Sequence, residues 1–280
     1  MFTNQLALIS QSPNVSFAEV AKISAALQKQ IARDYSPIWN IPATIDSFAA
    51  LDDIPTGYWP IIIMDDIGFA GAAGIHLDSN NQPYALVQAS ANTPLTCSHE
   101  ALEMLTDPFG NRFIASDSIK RGQGRVNYLV EVCDPSEAIK YGYTVNGILL
   151  SDFYTPSFFN PVANPGVQYS FTGAIKKPKQ VLPGGYLSWM IPKTKVWWQA
   201  VYSGKKLTFV EKGVLSNDKK SWREAIDSNS FDQLKPLMGK KITASTSRAG
   251  LFAAETIATA SSGRGYQLRQ DIDLLLKSLK

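Results

Sequence analysis

The stretch best able to support chemistry is residues 96–108, which read TCSHEALEMLTDP. It contains His99, one of only two histidines in the chain, and Glu100 follows directly. In a helix, the spacing of four residues between His99 and Glu103 places both side chains on one face, with Asp107 one turn further along it. An imidazole and a carboxylate on one helix face are potential ligands of a single metal ion, and the adjacent Glu100 is a potential general base.

This pattern differs at one position from H-E-x-x-H, because Glu103 stands in the place of the second histidine. A catalytic zinc ion typically has three protein ligands and an open position for water. The only other histidine is His76, so the helix cannot supply two imidazoles. A set of one imidazole and two carboxylates still binds Zn²⁺, and it also suits Mn²⁺ or Fe²⁺. Glu103 therefore either changes the metal preference of the site or marks the loss of the metal.

The motif follows a regular succession of predicted elements. Apolar β-branched runs predict strands, a helical period predicts helices, and Pro, Gly and Asn mark turns. Before the motif we predict a strand at 5–10, then a helix from the capping-box sequence SFAE at 16–19 to about 34. Extended chain at 38–48, a buried strand at 59–64 and a hairpin of 74–77 and 84–88 follow. The motif itself lies in a helix that Thr93 and Pro94 open and that Pro108 and Gly110 close. After it we predict a strand or short helix at 127–132, a hairpin at 141–150, short β segments at 165–215, and helices at 221–237 and 267–279.

This order of elements, with the motif at its end, resembles the zincin metallopeptidases over residues 5–110. More narrowly, SHEALEMLTDP, EVCDP at 131–135 and SDFYTP at 151–156 resemble a group of uncharacterised bacterial and phage proteins with a zincin-like motif. The resemblance implies an α+β fold with a mixed sheet and an active-site helix in residues 1–160. It also implies that the strand before this helix forms the sheet edge on which a peptide substrate lies. Residues 161–280 are then a β-rich basic segment with a C-terminal helix, packed on the first part.

In one branch of the zincins a downstream acidic residue is the third metal ligand, and by position this implies Glu131 or Asp134 here. We favour Asp134 slightly, because the following Pro135 fixes a turn that could hold its carboxylate steady. The predicted ligands are therefore His99 and Glu103, plus Asp134 or Glu131.

The predicted function is metal-dependent hydrolysis of a peptide or protein substrate, with Glu100 as the general base and Zn²⁺ as the expected ion. Tyrosines donate to the oxyanion in several zincins, and Tyr141, Tyr143 and Tyr154 are candidates here. We name Tyr154 and His76 as the candidate substrate-binding residues. The competing hypothesis is a catalytically inactive protein that keeps the zincin fold as a structural or interaction scaffold, for example in a phage particle.

The charge distribution separates the chain into two parts. Residues 40–160 contain 14 Asp and Glu against 5 Lys and Arg, whereas residues 176–220 contain ten Lys, from Lys176 to Lys220, against two acidic residues. The first part could hold a cation, and the second could contact a polyanion through Lys charge and aromatic stacking. Alternating Lys and Trp are more typical of a half-buried β surface.

The remaining features of the sequence concern location and redox state. The N-terminus lacks the pattern of a signal peptide, and no run of 18 apolar residues predicts a membrane span. We therefore expect a cytoplasmic protein, or a virion protein if the chain is encoded by a phage. Cys97 and Cys133 are too few for a disulfide scaffold, and we favour two buried free thiols over a disulfide between them.

Overall fold

A computed structural model describes residues 3–69, 71–203, 205–216 and 221–227. Its strands are β1 (Asn4–Ser10), β2 (Ala43–Ser47), β3 (Tyr58–Met64), β4 (Gly74–Ser79), β5 (Gln82–Gln88), β6 (Phe113–Asp117), β7 (Arg125–Leu129), β8 (Tyr143–Val145), β9 (Ile148–Leu150), β10 (Tyr186–Met190), β11 (Val196–Ser203) and β12 (Lys206–Val214). Its α-helices are α1 (Phe17–Lys29), α2 (Ser36–Trp39) and α3 (Thr93–Thr106), and residues 222–227 are also helical. These elements confirm the predicted α+β class with a β-rich second part. The predicted helix at 267–279 lies outside the described residues.

The first sheet has the strand order β2-β1-β3-β5-β4, and only β4 runs antiparallel to its neighbour. Side chains alternate between its two faces, as strand geometry requires. Leu6, Leu8, Ile61 and Ile63 pack on one face with helices α1 and α3, whereas Ile9 and Ile62 join the cluster on the other face. Because both faces are covered, β3 is apolar at successive positions, as the run at 59–64 predicted.

The edge of this sheet nearest to the motif helix differs from the expectation. The strand directly before α3 is β5, and it pairs on both sides, with β3 and with β4. The edge strand is β4, the first strand of the hairpin. The hairpin turns tightly at Asn80 and Asn81, whose φ angles of 52° and 63° fit a two-residue type I′ turn.

Helix α1 begins as predicted and continues differently. Ser16 and Glu19 form the capping box, with Glu19 N–H donating to Ser16 Oγ and Ser16 N–H donating to the Glu19 carboxylate. The helix continues as a π-helical turn at Gln30–Tyr35 and then as α2. The prediction of extended chain from residue 38 was therefore wrong for its first two residues, because Ile38 and Trp39 belong to the last turn of this continuous helix, which ends at Asn40 with a left-handed φ of 54°.

The second sheet is antiparallel, with the order β12-β11-β10-β7-β6. Its β7 and β10 come from opposite sides of residue 160, so the predicted domain boundary falls between paired strands. The largest hydrophobic cluster likewise contains residues of both sheets, such as Ile61 of β3 and Trp189 of β10. One core therefore joins the two predicted parts.

The basic segment that begins at residue 176 largely forms a half-buried β surface. Trp189 and Trp197 are buried, and Lys179 is buried as well, with its Nζ donating to Ser116 Oγ and Asn160 O. In the part of the chain that the structure describes, no helix is long and apolar enough to cross a membrane.

We predict that Gly74→Ala destabilises the contact between β4 and α3. A Cβ atom on Gly74 would lie 2.6 Å from Thr96 Cγ2 and 2.7 Å from Glu100 Oε1, so these side chains or the helix that carries them must shift. Overpacking of this kind costs about 1–3 kcal/mol in the free energy of unfolding, which urea denaturation would measure. Thr96→Ser removes the obstructing methyl group and should restore part of the loss in the double variant. Unchanged stability of Gly74→Ala would contradict the prediction.

Candidate metal centre

Helix α3 carries three of the predicted site residues, and all three are held between the two sheets. The helix begins at Thr93, so its N-cap is Asn92, one residue before the predicted N-cap, and Thr93 Oγ1 accepts the N–H of Ser90 at 2.8 Å. His99 has its side chain 13% exposed, whereas Glu100 and Glu103 are buried. The three side chains therefore lie in the interior of the protein, and His99 is the one most exposed to solvent.

The end of α3 uses Asp107 as a cap. Its carboxylate accepts the backbone N–H groups of Asn111 at 3.0 Å and Arg112 at 2.7 Å, and the Arg112 guanidinium donates to Thr106 O. Asp107 therefore stabilises the turn at the end of α3 through backbone N–H groups.

His99 lies between two carboxylates. Its Nε2 is 3.2 Å from Glu103 Oε2 and 3.3 Å from Asp134 Oδ1. Two ligand atoms of a tetrahedral ion with bonds of about 2.0–2.2 Å are themselves about 3.3–3.6 Å apart. Each of these two distances thus matches, within about 0.1 Å, the separation of a pair of ligands on one ion.

Asp134 reaches this position through the loop that follows β7. The loop closes with a 3₁₀ turn at Asp134–Ser136, and Cys133 N–H donates to Glu103 Oε1 at 3.1 Å. The two sequence motifs therefore meet at the site, as the resemblance implied. Cys97 and Cys133 are buried and not bonded to each other, which confirms the prediction of free thiols.

His76, predicted as a substrate contact, is buried against the carboxylates of helix α3. It comes from the edge strand β4, and its Nδ1 is 3.4 Å from Glu100 Oε2 and 3.8 Å from Glu103 Oε2. Its Nε2 has no hydrogen-bond partner among the described residues. The structure thus brings His76 to the carboxylates of α3 rather than to the cleft.

Arg223 is the site residue that sequence reasoning missed. Its Nη1 lies 2.7 Å from Glu103 Oε2 and also contacts Glu131 Oε2. Its Nε lies 3.4 Å from Asp227 Oδ2, one helical turn along. Arg223 is 120 residues away from Glu103, in a segment predicted only as a helix, so no local pattern marked it.

The position of Arg223 is fixed by the turn after α3. Its N–H donates to Gly110 O at 3.1 Å, and the N–H of Trp222 donates to Asn111 Oδ1 at 3.1 Å. Gly110 has a φ of +58°, and a Cβ there would lie 2.9 Å from Arg223 Cβ. The Trp222 ring packs on Trp197 of β11, with ring centroids 5.3 Å apart. The turn after α3 and the second sheet therefore together fix the position of Arg223.

Burial and neighbouring charges have opposite effects on the pKa values of Glu103 and His99. Burial alone would raise the pKa of Glu103, but the charges of His99 and Arg223 hold it below its ordinary value. Burial alone would lower the pKa of His99, but Glu103 and Asp134 hold it well above its ordinary value. Burial and the charge of Glu103 raise the pKa of Asp134. Each of these three pKa values therefore depends on the charges of the other members of the cluster.

Two further acidic residues complete the cluster. Burial raises the pKa of Glu137 to about 7 and that of Asp227 to about 6. His99, Asp134 and Glu137 each present one ligand atom within 4.8 Å of the others. The spacing of three between Asp134 and Glu137 was the available sequence signal for Glu137.

An open cleft of about 540 Å³ leads to these residues. Residues of α3, of the start of β4 and of the second sheet line it, among them Gly74, His99, Glu100, Glu137, Tyr186 and Arg223. Tyr154 does not line the cleft; its ring stacks on Phe158 with centroids 4.3 Å apart, and its buried hydroxyl has no partner among the described residues. Tyr143 donates to Asp34, and Tyr186 is the tyrosine at the cleft wall.

The donor atoms fit a divalent cation. Asp134 Oδ1 and both oxygens of Glu131 are buried, and none accepts a well-aligned hydrogen bond within the described ranges. Buried carboxylates of this kind need cations, and one imidazole with several carboxylates suits Zn²⁺, Mn²⁺ or Fe²⁺. His99, Asp134 and Glu103 are the predicted residues that would hold such an ion. Among the groups whose ligand atoms all lie within 4.8 Å of one another, His99 belongs to one with Asp134 and Glu137 and to another with Glu103 and Cys133.

We predict that Arg223→Met destabilises the metal-free protein by about 3–5 kcal/mol, because the buried Glu103 and Glu131 lose their cation. Denaturation in the presence of a chelator would measure the free energy of unfolding. Arg121 is exposed, so Arg121→Met should change it by no more than about 0.5 kcal/mol. If Arg223→Met lowers the free energy of unfolding no more than Arg121→Met does, the buried ion pairs do not contribute to stability.

Comparisons with known proteins assign no family to the chain. A scan against protein-family models, a search of curated proteins and a search of solved structures each found no match. The resemblance to the zincins therefore stays a hypothesis based on the sequence motifs.

Proposed function

We propose that this chain is a metal-dependent hydrolase that cleaves a peptide bond in the cleft beside helix α3. The observation that carries the proposal is the pair of distances from His99 Nε2, 3.2 Å to Glu103 Oε2 and 3.3 Å to Asp134 Oδ1. They join two ligand types, on two separate elements, at the spacing of metal ligands. Glu100, the neighbour of His99 on the helix, lines the same cleft.

The roles follow from the chemistry of each group. When bound, a divalent ion would polarise the scissile carbonyl and lower the pKa of water. Glu100 would accept the proton of the attacking water and return it to the leaving amine. Cys133 N–H holds Glu103 Oε1 at 3.1 Å, which leaves Glu103 Oε2 directed at His99. Tyr186, at the cleft wall, is the tyrosine best located to donate to an oxyanion.

A peptide substrate is favoured by the edge of the first sheet. The start of β4 and the residues before it line the cleft, and β4 has a partner strand on one side only within the described sheet. An edge strand offers backbone N–H and C=O groups that an extended peptide can pair with. Such pairing would bring a peptide bond past His99 and Glu100.

The competing hypothesis, an inactive scaffold with the same fold, also has one observation in its favour. The Arg223 guanidinium already contacts Glu103 and Glu131 and supplies a positive charge within the cluster. In a scaffold, this charge would replace the metal. Metal analysis separates the two hypotheses.

We expect protein purified without chelator to contain about one equivalent of a transition metal, measured by mass spectrometry of the metal. His99→Ala removes the imidazole ligand and should abolish this content. Cys97→Ala changes a buried residue of the same helix that is not a predicted ligand, and it should retain the metal. A wild-type protein that takes up no Zn²⁺, Mn²⁺ or Fe²⁺ would exclude the hydrolase.

We expect Glu100→Gln to retain the metal and to lose about 10²–10⁴-fold in turnover of a fluorescence-quenched peptide library, because the amide cannot accept the proton. Glu211→Gln, at an exposed position of β12, is the matched control and should leave turnover unchanged. Equal turnover of Glu100→Gln and the wild type would remove Glu100 from the proposed role.

A further inference from the structure

We infer that the guanidinium of Arg223 occupies a second cation position of the site, and so limits the site to one metal ion bound on the His99 side. This inference rests on the proposed function, because it concerns how the same carboxylates are shared. It also assigns the acidic ligand. Glu131 serves as the counter-ion of Arg223, and Asp134 serves the metal.

Four carboxylates surround the guanidinium of Arg223. Glu103 and Glu131 contact its Nη1, Asp227 lies 3.4 Å from its Nε, and Glu100 Oε2 lies 3.9 Å from its Nη2. A guanidinium remains charged at any accessible pH. Four carboxylates around one buried permanent cation resemble the surroundings of a metal ion rather than those of a surface ion pair.

Two of these carboxylates also belong to a group of potential metal ligands. His76, Glu100 and Glu103 each present a ligand atom within 4.8 Å of the others. All three side chains are buried, and His76 comes from a different element than the two carboxylates. With Arg223 present, two of these three ligands already face its guanidinium, Glu103 Oε2 at 2.7 Å from Nη1 and Glu100 Oε2 at 3.9 Å from Nη2, so a divalent ion held by both would meet a like charge.

The His99 side shares fewer ligands with Arg223. His99, Asp134 and Glu137 form one group of potential ligands, and the described ion pairs of Arg223 include none of the three. Asp134 also lies within ligand spacing of Glu103 and Glu131, which both contact Arg223, so the two sides meet at these carboxylates. Glu103 Oε2 lies between the two sides, 3.2 Å from His99 Nε2 and 3.8 Å from His76 Nδ1.

A physical reason for Glu103 follows from this position. A carboxylate oxygen has two lone-pair sites, so Glu103 Oε2 can face a cation on each side while Oε1 accepts the Cys133 N–H, whereas a neutral imidazole has one acceptor nitrogen. The glutamate at the second histidine position of H-E-x-x-H can therefore bind a metal on one side and the guanidinium on the other. A histidine there would leave Arg223 with fewer carboxylates and a like charge when protonated.

Manganese titration with electron paramagnetic resonance tests the inference. We expect the wild type and Arg223→Lys to bind one Mn²⁺ with the six-line spectrum of an isolated ion. Arg223→Met should bind two Mn²⁺, and their spectrum should be broadened by coupling between neighbouring ions. The added His76→Ala change should return Arg223→Met to one ion. Binding of only one ion by Arg223→Met, or of two ions by the wild type, would overturn the inference.

A second pair of variants keeps the test decisive if Arg223→Met does not fold. Asp134→Asn removes a ligand and should weaken Mn²⁺ binding at least about 100-fold. Glu131→Gln removes only the partner of Arg223 and should weaken Mn²⁺ binding less than about 10-fold, below the loss of about 10–100-fold that is typical of groups that orient ligands. The opposite order would assign Glu131 as the ligand and overturn the inference.

The failure of the inference and that of the proposed function are distinguishable. A wild type that binds one Mn²⁺ while Arg223→Met also binds one overturns the inference and leaves the hydrolase standing. A wild type that binds no metal excludes the hydrolase. In that case, uptake by Arg223→Met supports Arg223 as a substitute for a cation, and no uptake overturns both.

Discussion

The burial of the Glu103 carboxylate is the constraint on which the rest of the site depends. A fully buried carboxylate is costly unless it is paired and hydrogen-bonded. Its partners are His99 on the same helix, the Cys133 N–H after β7 and the Arg223 guanidinium near the end of the described chain. These partners come from three separate parts of the chain. The charge of one side chain therefore requires helix α3, the loop after β7 and the 222–227 helix to pack together.

The surroundings of Glu103 contain more carboxyl groups than basic groups. The carboxyl groups belong to Glu100, Glu131, Asp134, Glu137 and Asp227, and the basic groups are the Arg223 guanidinium and the imidazoles of His76 and His99. The raised pKa values of Asp134, Glu137 and Asp227 express this excess, because burial and neighbouring carboxylates favour their neutral forms. A divalent cation would take the place of those protons, and this preference connects the electrostatics of the site to the proposed chemistry.

Local sequence patterns predicted the parts of the site that lie within one element. His99 and Glu103 share a helix face because they are four residues apart, and Asp107 ends that helix because Pro108 follows it. The meeting of Asp134 with His99 was expected only from the resemblance of the motifs to a family. The sheet edge was misassigned to β5, because the pairing partner of a strand depends on distant segments that its own residues do not specify.

The sequence by itself determined the elements and their faces, since helix caps, hairpin turns and the spacing of apolar residues act between neighbours of the chain. Only the tertiary structure decided which charges meet. Arg223 reaches Glu103 across 120 residues, through a glycine turn at Gly110 and a tryptophan contact in the second sheet. The choice between Glu131 and Asp134 likewise depends on which carboxylate faces Arg223 and which faces His99. Coulombic partners are selected by distance in space, and separation along the chain carries no information about that distance.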